Sequence, residues 1–220
     1  MNQDNTGVNL KRLQEILSAE SKAIKEIPVT EAYAQAIETI IDRVHNRGGK
    51  LIVSGMGKAG QIAMNIATTF CSTGTPAVFL HPVEAQHGDF GVMRENDVML
   101  VLSNSGKTRE ITDLISLSRD IYPEVPIIGI TGVKESKLSE DSDIVLFTGG
   151  APEVCPLQLT PTTSTTAMSV IGDLLIVSLM ESIGFKVEDY AKRHPGGSLG
   201  QKSRKAVESL KEESADKSDQ

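Results

Sequence analysis

The chain has 220 residues, 39% of them hydrophobic, and 29 Asp and Glu against 22 Lys and Arg give a formal charge of −7. That length supports one sizeable core with little room for a second, and the acidic balance excludes a nucleic-acid binder that relies on a broad basic face. Cys71 and Cys155 stand far apart without CxxC spacing, and the N-terminal stretch lacks the basic-then-apolar pattern of a signal peptide, so reduced thiols in a cytoplasmic protein are expected.

Residues 1–7 are polar and are expected to fray. Leu10, Leu13, Ile16 and Leu17 then recur at helical spacing until Pro28 stops the run. Thr30 is the candidate N-cap of a second helix, with Tyr33, Ile37, Ile40, Ile41 and Val44 on one face and Gly48-Gly49 at its end. From Lys50 the pattern changes. Short apolar runs at 51–53, 77–80, 98–102, 127–130 and 144–147 alternate with helical windows near 58–72, 108–121 and 135–140. Such alternation predicts an α/β fold: a doubly wound, flavodoxin-like five-stranded parallel sheet with helices on both faces and ligands at the carboxyl ends of its strands.

Residues 160–166, rich in Thr with Pro161, lead into a long apolar helix that runs to about Ile183 and stops at Gly184. Its hydroxyls are suited to cap exposed N–H groups, which makes this helix start a further anion site. The apolar stretch 167–180 is broken by Gly172 and Asp173 and is expected to be too short to cross a bilayer. Past Gly200 the chain turns charged, and 205–220 reads as a frayed helix or disordered tail. The expected organisation is an N-terminal helix over 1–29, one domain over 30–204 and this tail.

Gly55-Met56-Gly57-Lys58-Ala59-Gly60 matches the dinucleotide pattern GxGxxG after a strand. The following strand ends in Phe79-Leu80-His81-Pro82, with no Asp or Glu where a ribose would be held, so no nicotinamide cofactor is expected. Lys58 at a helix N-terminus is electrostatically unfavourable unless a negative ligand sits there. Ser103, Ser105 and Thr108 place three hydroxyls around Gly106 after another strand, more than one helix cap requires, and point to phosphate. Glu110 in the first turn that follows suits the helix dipole and is equally placed for catalysis.

The stretch 81–91 holds His81, Glu84, His87 and Asp89 at a spacing that matches no common zinc pattern, so no metal is expected. A neutral His beside a carboxylate suits proton transfer near pH 7, although a lone loop His is more often exposed or structurally bonded. Glu153-Val154-Cys155-Pro156 follows the fifth strand on the ligand side. His194 sits in a stiff Arg193-His194-Pro195-Gly196-Gly197 turn.

Taken together, SGMGKAG, HPVEAQHGDFG, LSNSGKTRE, EVCP, LTPTTSTTA with Gly172-Asp173, and RHPGGSLG resemble the sugar isomerase (SIS) domain family between about Thr30 and Gln201. Within it they resemble the D-arabinose 5-phosphate isomerases of the Kdo sugar-acid and capsule pathways. GMGK and the SxSGxT turn mark the wider family, whereas HGD and the terminal HPGGxLG mark the isomerase. The resemblance implies interconversion of D-ribulose 5-phosphate and D-arabinose 5-phosphate without a cofactor.

It further implies that Lys58, His87, Glu110, Glu153 and His194 are active-site residues. Ser103, Ser105 and Thr108 match the phosphate turn, with Ser54, Gly57 and the hydroxyls around Thr162 to Thr165, Thr163 among them, as neighbours. An enediol route needs a carbon base, a group that moves the hydroxyl proton and a charge near the oxyanion. Glu153 is assigned the carbon proton, His87 or His194 the oxygen protons and Lys58 the oxyanion or phosphate, with Glu110 able to exchange roles with Glu153. A homotetramer whose sites are completed by neighbours is expected, with no nucleic-acid or membrane partner. Family members commonly continue into paired CBS domains, which are expected to be missing here, so any feedback is expected to come from activated Kdo (CMP-Kdo) competing in the active site. The alternatives are an isomerase of another phosphosugar and a non-catalytic sugar-phosphate sensor.

Overall fold

The computed structural model describes residues 9–218; the expected fraying over 1–7 and the last two residues of the tail lie outside them. Five parallel strands, β1 (Leu51–Gly55), β2 (Ala77–Phe79), β3 (Val98–Leu102), β4 (Ile127–Thr131) and β5 (Ile144–Phe147), form one sheet in the order β2-β1-β3-β4-β5. This is the doubly wound order, and its switch point falls between β1 and β3.

Alternation within each strand sends side chains to two cores. Leu51, Val53, Leu100 and Leu102 pack on one face against α2 (Glu31–Ile40), α3 (Gly57–Ser72) and α7 (Thr163–Ser182). Ile52, Met99, Val101 and Ile127 pack on the other against α5 (Arg109–Ile121) and α6 (Lys137–Asp141), with Phe90 and Met93 beside the short α4 (Pro82–Ala85). Burying each such Leu, Ile or Phe is worth about 1.5–3 kcal/mol. At the amino end of β3, Asp97 is 1% exposed and accepts Lys50 Nζ at 2.7 Å and the Lys50 and Arg94 backbone N–H groups, which ties the amino ends of β1 and β3 to the preceding turn.

The first helix, α1 (Leu10–Lys25), is capped by Asn9, whose side chain accepts the Arg12 N–H. It rests on α7 through its C-terminal half, with Ala23 buried, while Leu10, Leu13 and Leu17 remain exposed. Thr30 stands at the start of α2 but its side chain makes no cap bond there. The last turn of that helix widens into a π-helical stretch, Ile41–Asn46, before the Gly48-Gly49 stop.

Of the two readings of the stretch from 205, frayed helix or disordered tail, the helix is the one found: it continues α9 (Gly197–Ser218), which pairs with α8 (Val187–Arg193), because a Lys/Glu-rich run without Gly or Pro has good helix propensity. One expectation changes. The apolar segment expected to be too short for a bilayer belongs to a 20-residue helix long enough by length and composition to cross one. That helix is apolar because it covers the sheet: Met168, Ile171, Leu175, Ile176 and Leu179 are buried against α3 and the strands.

Candidate active site

Both glycine-rich turns meet at the switch point. After β1, Gly57 adopts a left-handed φ of 58° and α3 begins. A Cβ on Gly60 would stand 2.6 Å from the Gly55 carbonyl oxygen, so glycine there lets the helix N-terminus approach the strand end. After β3, Gly106 (φ 63°) turns the chain so that a Cβ would fall on the Ser136 hydroxyl. Ser103 Oγ and Thr108 Oγ1 lie 2.7 Å apart, and Ser105 Oγ accepts the Lys107 N–H at 3.3 Å.

A cavity of about 360 Å³ lies between them, lined by Met56, Lys58, Ser103, Asn104, Ser105, Thr108, Glu153, Gln158, Ser164 and Thr165 among others. One wall is the 153–162 loop, which returns from β5 to the start of α7. Glu153 Oε2 accepts the Thr162 N–H (2.7 Å), the Thr162 hydroxyl (2.9 Å) and the Ser164 N–H (3.3 Å). The anion site foreseen at this helix start is therefore filled by a carboxylate of the chain itself, and Thr162 donates to it rather than capping the helix. Partial burial pushes the Glu153 pKa up, but the bonds from Ser164 and Thr162 outweigh it and hold the carboxyl below its ordinary value.

Cys155 organises the same loop. The Thr160 and Leu159 N–H groups donate to Sγ at 3.2 and 3.3 Å and draw the thiol pKa down. The Cys155 carbonyl accepts the Gln158 N–H at 2.9 Å. Gln158 is the only non-glycine among the described residues with left-handed backbone, φ 52°. Sequence reasoning missed Gln158, Asn104 and Met168 as cavity residues; Gln158 and Met168 lie outside the recognised motifs, and Asn104, inside LSNSGKTRE, was passed over for the hydroxyls beside it.

Of the residues singled out from sequence, the cavity gathers Lys58, Ser103, Ser105, Thr108 and Glu153. Lys58 is exposed at the start of α3, its ammonium 3.4 Å from Gln61 Oε1. Ser54 and Thr163 do not fit the expected phosphate-binding role. Ser54 is fully buried and donates to the Leu80 carbonyl, and Thr163 is 2% exposed and donates to Glu20 Oε1. Of the hydroxyls expected around Thr162 to Thr165, Ser164 and Thr165 line that wall.

Glu110, half-buried in the first turn of α5, His87 and His194 lie off the lining of this cavity. His87 is exposed beside Gly88. The His194 ring stacks on Tyr190 with centroids 3.9 Å apart, and Nδ1 lies 3.0 Å from the Tyr190 carbonyl oxygen. A carbonyl only accepts, so Nδ1 carries a hydrogen and Nε2 is the ring nitrogen left to exchange a proton.

The SIS domain family model matches residues 45–178, which span β1 to most of α7. The chain belongs to the SIS domain family. A Bacteroides fragilis structure described as a phosphosugar isomerase involved in capsule formation superposes on this SIS chain with a TM-score of 0.83 at 56% identity, covering 84% of this chain and 96% of that one. An E. coli CFT073 protein solved in complex with arabinose 5-phosphate gives a TM-score of 0.78 at 32% identity, covering 89% and 100%. Arabinose 5-phosphate isomerase KdsD of Escherichia coli K12 is 43% identical over 189 residues, 86% of this chain. The SIS chain spans 56% of the length of that relative, so the two share one region and not their whole extent.

Proposed function

We propose that this SIS chain is an aldose–ketose isomerase that interconverts D-ribulose 5-phosphate and D-arabinose 5-phosphate. The observation that carries the reading is the cavity itself, whose lining brings together the hydroxyl turn at 103–108, Glu153 and Lys58 of the first turn of α3. The resemblance to the structure with bound arabinose 5-phosphate and to arabinose 5-phosphate isomerase KdsD supports the pentose phosphate as substrate.

On this reading the phosphate is held by the 103–108 turn and the N-terminus of α5. Glu153, ionised at neutral pH, takes the proton from the carbon beside the carbonyl and returns it to the neighbouring carbon. Meanwhile the hydroxyl proton passes to the carbonyl oxygen through His194 or His87, so the enediol forms and collapses without net gain or loss of protons. The Lys58 ammonium offsets the charge that develops on oxygen. Glu110 is the alternative carboxylate, at the mouth of the phosphate turn.

The two histidines reach the reacting atoms from neighbouring subunits of a homotetramer. Their position off the cavity lining of their own chain, with Leu13 and Leu17 of α1 and Val177 of α7 left exposed, supports this assembly. Mixing inactive H194N with inactive E153Q tests it: mixed oligomers recover activity if the groups come from different chains, and stay dead if they share one. The enzyme is read as cytoplasmic, supplying Kdo for lipopolysaccharide or capsule, with CMP-Kdo as a competing anion in the same cavity.

An NMR time course with D-ribulose 5-phosphate in D2O tests the reaction. Appearance of D-arabinose 5-phosphate with deuterium at C2 is the expected result. Conversion of a hexulose or heptulose phosphate in its place would assign another phosphosugar to the same chemistry.

A further inference from the structure

Beside the cavity lies a carboxylate that the proposed chemistry does not use. Glu20 of α1 accepts the Thr163 hydroxyl at 3.1 Å through Oε1, while its Oε2 is buried without a hydrogen-bond partner among the described residues. Burying a carboxylate oxygen unpaired costs free energy, and the outer face of the same helix offers water at every turn. The cost is spent where Thr163, itself 2% exposed, stands between Thr162 and Ser164. Those two residues supply the N–H groups that hold Glu153 Oε2.

Two carboxylates from distant parts of the chain thus grip consecutive residues of one helical turn. Glu153 grips it from the cavity side, and Glu20 from the α1 side. Neither Glu20 nor Thr163 lines the cavity, so neither touches a ligand held there. A second tie runs in parallel, since Arg12 Nη2 of α1 donates to the Val154 carbonyl at 3.3 Å, next to Glu153 in sequence.

We infer that Glu20 is a positioning residue for Glu153: it holds Thr163, and through it the first turn of α7, so that the Thr162 and Ser164 N–H groups fix the carboxylate that faces the substrate. The first helix is then part of the catalytic apparatus and not a packing element alone. This inference rests on the isomerase reading for its effect on turnover, but its structural half stands apart from it.

The test uses E20A, T163V, T163S and the E20A/T163V double variant in the full chain. Misplacing a catalytic group by about 1 Å can cost on the order of 10²-fold, so E20A and T163V are each expected to lower kcat at least about tenfold. KM stays unchanged, because the phosphate turn at 103–108 is untouched. T163S keeps the hydroxyl and is expected to behave as wild type, and the double variant is expected to be no worse than either single one, as for two members of one link.

Hydrogen–deuterium exchange supplies a readout that needs no substrate. The Thr162 and Ser164 amides should exchange faster in E20A and at the wild-type rate in T163S. Wild-type kcat in E20A, additive losses in the double variant, or unchanged exchange at 162–164 would each overturn the inference. Should T163V fail to fold with Glu20 left unpaired, E20A against T163S decides. Should the wild-type chain not isomerise pentose phosphates, the activity reading falls while exchange at 162–164 still decides the role of Glu20.

Discussion

The hydroxyls of the turn at 103–108 bond within the turn, with its Asn104 and Gly106 carbonyls tied to Gly132 and Leu138 through the backbone, whereas the loop at 153–162, besides its own Cys155 and Glu153 bonds, is tied by side chains to two helices, α1 and α7. In the first, Ser103 pairs with Thr108, Ser105 with the Lys107 N–H, and the Gly106 N–H donates to the Ser103 carbonyl, all within six residues. In the second, Glu153 reaches across to Thr162 and Ser164, Arg12 of the first helix holds Val154, and Glu20 holds Thr163. A group that only grips an unchanging phosphate can be built locally from N–H groups and hydroxyls. A group that must meet one carbon atom needs its orientation fixed by several elements at once.

The contrast breaks most sharply at Glu153. E153Q keeps an acceptor for Thr162 and Ser164 but removes the base, so kcat should fall about 10²- to 10⁴-fold while inorganic phosphate, tested as a competitive ligand, binds as before. Near-wild-type kcat would transfer the carbon proton to Glu110. On the other side, T108V removes one hydroxyl from the phosphate turn. A hydrogen bond to a charged group is worth roughly 1.5–3 kcal/mol, so KM should rise about tenfold or more with kcat little changed. A loss confined to kcat would place Thr108 in the chemistry and erase the division of labour.

How much of this was legible follows the same divide. The sheet and its order came from strand and helix alternation, since β3 and β5 coincide with the apolar runs at 98–102 and 144–147. The place of the 103–108 turn at the cavity was legible because its hydroxyls are neighbours in sequence after β3. Ser54 and Thr163 misled, because a hydroxyl next to a glycine-rich turn looks the same in sequence whether it faces a ligand or a buried carbonyl. Glu20 gave no signal at all: on an amphipathic helix a Glu is ordinarily a solvated charge, and only the packing of α1 on α7 buries it. Composition left the tail open between a frayed helix and disorder, because it reports the lack of a core and not the lack of a helix.

The smallest expected effect concerns stability against acid, and it separates the two regions without any substrate. Glu153 is held below the ordinary value of 4.5 by its bonds from Ser164 and Thr162 against the opposing pull of burial. A carboxyl whose folded pKa is depressed contributes stability that is fully present above its unfolded value and is lost as pH falls through its folded one. Melting temperature measured downward from pH 6 should therefore drop below about pH 4.5 in wild type, and the drop should be shallower in E153Q, which has no proton to gain. T108V carries no titrating group and should follow wild type across the same range. If E153Q and wild type fall in parallel, the Glu153 bonds with Thr162 and Ser164 do not differ in strength between charged and neutral forms, and the loop is held by the Cys155 and Arg12 contacts instead.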